Sequence, residues 1–122
     1  MRFGVLALSV SIALSLSAAG AVESFRQLRG TEIRSRFAGM EFTDDVHWAL
    51  VFGRDGSLSA FEMSAGKKGT WKVEKDELCV NYGREGLRCY QVWVSGKDVQ
   101  LRRDGMLPED GVLKKPAKRA AQ

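Results

Sequence analysis

From residue 46 onwards, apolar and polar positions alternate with a period of two. Val46, Trp48, Leu50 and Phe52 fall on one side, and His47, Ala49 and Val51 on the other. That is the pattern of a β-strand with one strongly apolar face. Gly53-Arg54-Asp55-Gly56 predicts a turn, because Asp-Gly readily supplies positive φ. Leu58 to Met63 predicts the returning strand, and Ser64 to Gly69 a Gly/Lys loop. A third strand begins at Gly69, with Trp71 and Val73 on one face. Glu74-Lys75-Asp76 turns the chain again.

The stretch from Glu77 to Val94 is the most informative. Leu78, Val80 and Tyr82 run out along one strand, Gly83 to Gly86 is a turn with glycine at both ends, and Leu87 to Val94 runs back. A hairpin folding about Arg84 sets Cys79 opposite Cys89 and Leu78 opposite Tyr90. It places Val80, Val92 and Val94 on their face and Trp93 on the cysteine face. Directly opposed residues bring their Cβ atoms within about 5 Å, close to what a disulfide needs. The same register therefore accounts for the apolar pattern and for a Cys79–Cys89 disulfide. Ser95 to Asp98 is a last turn, and Val99 and Leu101 form a final strand ending near Arg103.

Ahead of the strands the period differs. Ile33 and Phe37 are four apart, on one face of a short helix that starts with Thr31 as its cap and ends at Gly39. Val22 to Arg29 is a polar lead-in. One short helix followed by six or seven closely spaced strands predicts a mainly β domain. The expected architecture is a small antiparallel meander barrel or a sandwich.

The beginning of the chain changes the setting. Met1-Arg2 is a short positive start, Phe3 to Leu16 is apolar apart from small residues, and Ala19-Gly20-Ala21 is a small-x-small site. This is the anatomy of a secretory signal peptide, with cleavage expected after Ala21 and Ala19 as the alternative. The run is too short for a membrane span, and no second hydrophobic segment follows. The expected organisation is a signal peptide over 1–21, one β-rich domain over 22–105 and a basic, disordered tail over 106–122. An exported domain of this size gains from a covalent staple, and its compartment permits one.

The formal net charge of +4 is misleading. Of the 19 Lys and Arg residues, one is Arg2 and four lie between Val112 and Gln122 (Lys114, Lys115, Lys118 and Arg119), which leaves 14 between Val22 and Gly111 against all 15 acids. A near-neutral body with interspersed charges lacks the clustered basic surface of a nucleic-acid groove. The tail offers a weak attraction for an anionic surface or an acidic partner.

Candidate chemistry is sparse. His47 is the sole histidine and faces away from the Trp48 side. The carboxylate pairs Asp44/Asp45, Asp76/Glu77 and Glu109/Asp110 sit at turns or in the tail, where acids are ordinary solvated residues. The spacing of a calcium loop is absent, and two cysteines with one distant histidine make no zinc site. No catalytic, cofactor or metal residue is predicted. Trp48, Trp71 and Trp93 lie on three strands and either pack the core or line a concave pocket for an apolar or sugar ligand, where Tyr82, Tyr90 and Phe61 can join them.

Leu28-Arg29-Gly30-Thr31-Glu32-Ile33-Arg34, Phe37-x-Gly39, Trp48 and Asp55-Gly56 form one half of a longer pattern. Gly69-x-Trp71-x-Val73, Leu78-Cys79-Val80 and Cys89-Tyr90-x-Val92 form the other. Over residues 28–101 the chain resembles a group of small secreted, β-rich alphaproteobacterial proteins. The resemblance implies a periplasmic or secreted setting and transfers no catalytic residue. Asp45-Val46 departs from the pattern, where glycine is expected after the acid. The expectation is a non-enzymatic binding or interaction module for an unidentified protein or small apolar ligand. The alternatives are a lipocalin-like carrier and an inhibitor of a secreted hydrolase.

Overall fold

The computed structural model describes residues 2–4, 9–12, 24–63 and 65–119. The predicted cleavage site after Ala21 lies outside them. Among the described residues, no helix is long and apolar enough to cross a membrane.

Two residues of strand, β1 (Arg26–Gln27), lead into helix α1 (Gly30–Phe37). Eight strands follow: β2 (Glu41–Thr43), β3 (Trp48–Phe52), β4 (Ser57–Glu62), β5 (Ala65–Glu74), β6 (Glu77–Asn81), β7 (Leu87–Ser95), β8 (Asp98–Arg102) and β9 (Glu109–Lys114). Each pairs antiparallel with the next, and β9 pairs with β2, so β2 to β9 close into a barrel. The architecture is thus a barrel and not a sandwich. Closure removes the exposed edges that an open sheet would present.

The strand count exceeds the six or seven expected, for identifiable reasons. The Gly/Lys stretch read as a loop is the first half of β5. Residues 65–70 pair with β4, while 70–74 pair with β6, so one strand turns the barrel's corner. Beyond 105, Pro108 and the charges suggest a tail, yet Glu109–Lys114 is a strand hydrogen-bonded on both sides. The domain therefore continues past 105. Gly111 makes this strand fit, since a Cβ there would lie 2.6 Å from the Phe42 ring. Val46, read as the start of a strand, lies in the turn before β3.

The cysteine hairpin has the expected register, with Cys79 opposite Cys89 and Leu78 opposite Tyr90, and the disulfide is formed. It lies on the outer wall, on the same side of β7 as Trp93. Tyr90, Val92 and Val94 point inward with Leu78 and Val80.

The helix spans nearly the expected residues and lays Ile33 and Phe37, both fully buried, across one end of the barrel. Gly39, at φ 78°, ends it in the left-handed region. Its start differs from expectation. Thr31 does not cap it. The Asp76 carboxylate, from the β5–β6 turn, accepts the Gly30 N–H at 3.0 Å and pairs with Arg29 at 3.2 Å. A carboxylate there satisfies a free backbone donor and suits the positive end of the helix dipole.

Candidate functional site

The barrel has one closed end and one open end. At the closed end Phe37, Phe52 and Trp71 stack edge to face, and the Trp71 indole N–H donates to the Gly53 carbonyl at 2.8 Å. Trp71 is therefore core. The open end collects the loops between β2 and β3, β4 and β5, β6 and β7, and β8 and β9. Among the last inward-facing positions there are Trp48, Glu62, Tyr82 and Glu109. With Leu50 beneath them they line a cavity of about 320 Å³.

Asp44 organises the first loop. Its Oδ1 accepts backbone N–H bonds from Val46, His47 and Trp48 at 2.7–3.1 Å, and Oδ2 meets His47 Nδ1 at 2.9 Å. Desolvation pushes its carboxyl up, but these donors together outweigh that and hold it far below the ordinary carboxylate range. Asp45 takes a φ of 66° in the same turn. His47 is thus tied to a loop carboxylate.

The opposite wall carries a mixed cluster. The Arg88 guanidinium lies 4.5 Å from the Tyr82 ring centre and pairs with Glu85 at 2.6 Å. Burial pushes the Glu109 carboxyl above its usual value, more than Arg88 draws it down. Burial likewise raises the Tyr82 and Tyr90 phenols, against the pull of Arg88. Sequence reasoning missed Glu62, Arg88 and Glu109. Glu62 was legible as the next inward step after Leu58 and Ala60, whereas Glu109 was hidden by the assignment of its segment to the tail.

The structure does not bring the three tryptophans together. Trp71 is at the closed end and Trp48 at the mouth. Trp93 is on the outer wall, with Arg102 4.2 Å above its ring. No family model, curated protein or solved structure matches the chain.

Around the mouth the surface is unusual. Apart from Phe3, Val10 and Ile12 near the start of the chain, the exposed large hydrophobic residues among those described are Val46, Met63, Leu87, Met106 and Leu107. Every one lies on or beside an open-end loop, with exposure from 53% at Leu87 to 90% at Leu107. Each of the four loops contributes at least one.

The basic residues of the C-terminal segment divide. Lys114 pairs with Asp45, and Arg119 pairs with Glu41 at 2.6 Å. Lys115 and Lys118 are exposed. Among the described residues, the ligand atoms of Glu74, Cys79 and Cys89 are close enough to share a metal ion. The disulfide has removed both thiolates, so they are not metal ligands.

Proposed function

We propose that the chain is an exported, non-enzymatic interaction module that meets a partner protein through the open end of its barrel. One observation carries this reading: the exposed apolar residues of the folded body converge on the four loops around the mouth. Scattered surface hydrophobics are ordinary, whereas clustered ones mark contact surfaces. Export is supported by the leader pattern and by a disulfide of the kind that persists in oxidising compartments. The resemblance to secreted alphaproteobacterial proteins agrees with both.

The local charge favours a protein over an anionic membrane. Acidic residues around the mouth (Asp44, Asp45, Glu62, Glu85, Asp104, Glu109, Asp110) outnumber the basic Lys67, Arg84, Arg88 and Arg103. A carrier reading fits less well, because aromatic and aliphatic side chains fill the interior and a ligand is confined to the shallow mouth.

The test places a photo-crosslinking side chain at Leu107 or Val46, and as a control at Lys97 in the β7–β8 turn of the closed end. A discrete protein adduct from the open-end positions, lost when Met106 is replaced by serine, is expected, with none from Lys97. Equal yields from both ends, or cosedimentation of the unmodified chain with anionic vesicles, would overturn the reading.

A further inference from the structure

All three residues of β2 are buried, both Glu41 and Thr43, which alternation turns outward, and Phe42 between them. Phe42 belongs to the interior. Thr43 is covered by its own loop, donating to the Trp48 carbonyl at 2.6 Å and accepting from the Asp45 N–H at 2.9 Å. Glu41 is the anomaly. It is a carboxylate on the outside of a barrel, yet only 1% exposed. An ionised carboxylate so placed requires a cation.

That cation is Arg119. Residues 115–119 run back across the wall, and the Arg119 guanidinium reaches Glu41 at 2.6 Å. Its centre stands 4.3 Å from the ring centre of Phe61, an outward residue of β4. A planar cation is thus held by a buried anion at its edge and an aromatic face beneath it. Those are the two elements that favour guanidinium over ammonium. The segment does not fill the groove. A cavity of about 420 Å³ remains beside it, bordered also by Asp45, Val46 and His47 of the β2–β3 loop.

We infer that this groove is a guanidinium-binding site, occupied in cis by Arg119, that accepts an arginine side chain from a partner when the C-terminal segment lifts away. The groove borders the β2–β3 loop, but its two guanidinium contacts, Glu41 and Phe61, lie outside the open-end loops, so the probe below tests it without the interaction proposed for them. Arg119 competes with any incoming arginine for one carboxylate and one ring. Occupancy in trans therefore requires release of the segment, and the intramolecular contact sets a threshold on partner binding.

The probe is Nα-acetyl-argininamide, compared with the neutral isostere Nα-acetyl-citrullinamide and with Nα-acetyl-lysinamide. Binding is read as the rise in thermal midpoint and as the shift of the Phe61 ring resonances. In Arg119→Ala the arginine probe is expected to raise the midpoint and move Phe61. Citrulline should do neither, and lysine should bind roughly two- to fivefold more weakly, the scale of a lost stacking contact. In the unaltered chain the arginine probe should bind at least roughly tenfold more weakly than in Arg119→Ala, because the site is filled. In Glu41→Gln/Arg119→Ala the response should vanish. Should Arg119→Ala fail to fold alone, the same probe must restore its folding, and citrulline must not. No response of Arg119→Ala to the arginine probe, an equal response to citrulline, or a response that survives Glu41→Gln would each overturn the inference.

Discussion

At the closed end of the barrel, Phe37 meets Phe52 at 5.1 Å and Phe52 meets Trp71 at 5.3 Å. Phe37 belongs to the helix that closes this end, and even the Trp71 indole N–H has a partner. At the open end, Trp48 packs against Phe42 at 4.9 Å on one side and borders a cavity on the other. Strand β3 supplies an aromatic residue to each end, Phe52 to the first and Trp48 to the second. They differ in what lies above those residues: a helix in one case, four loops with apolar tips in the other. Burial at the first end goes into stability. At the second, apolar area is left for another molecule.

Substitutions should separate the two ends. The largest effect is expected for Phe37→Ala, which empties a fully buried site at the closed end and should cost about 3–5 kcal/mol in denaturant unfolding. A loss under about 1 kcal/mol would show that the helix is not integral to the core. Replacing Cys79 and Cys89 by alanine removes a crosslink from the wall between the ends. It should cost about 2.5–3 kcal/mol in the chain-entropy account and leave the spectra of both ends unchanged. Asp76→Ala should cost about 1 kcal/mol by uncapping the helix. Faster amide exchange should follow at Gly30 to Ile33 and not in the open-end loops.

Variants that keep a single tryptophan should sharpen the contrast without large energetic effects. Acrylamide should quench Trp48 well and Trp71 poorly. Equal quenching would mean that the ends are not distinct.

The smallest effects concern pH, and both arise at the open end with opposite signs. Asp44 has a folded pKa below the ordinary carboxylate value of 3.8. It therefore favours the fold above that value, and this contribution is lost as the pH falls through the depressed one. Asp44→Asn should flatten the acid limb of the stability curve. Glu109 has a folded pKa above the ordinary value of 4.5. Its cost is absent in acid and grows as the pH rises past 4.5 towards the raised value, so Glu109→Gln should match the parent in acid and slightly exceed it at neutral pH.

Strand alternation and turn chemistry were readable wherever neighbours in sequence decide the structure. The Cys79–Cys89 register, the Asp55-Gly56 turn and the Ile33/Phe37 face are of that kind. Features decided by distant partners were not. Gly69 and Lys67 read as a loop because composition alone shows no β4 edge waiting to pair with them. Glu109–Lys114 read as a tail because its two partners, β2 and β8, are supplied by closure. The Asp76 cap joins residues 46 apart, and Thr31 was the better candidate on local grounds. The mouth was half legible. Trp48 and Tyr82 were singled out as possible pocket residues, while the converging apolar tips emerge only when four separate loops are placed at one end.

The final strand has a consequence for the order of folding. β2 and β9 are neighbours in space and lie far apart along the chain, so theirs is the strand pairing of longest sequence range among the described residues. A ribosome-bound or prematurely terminated chain ending before Glu109 would hold β2 to β8 as an open sheet, with two bare edges available to other chains. Completion of the barrel is therefore a late, all-or-nothing event, and its completeness depends on the last strand being delivered intact.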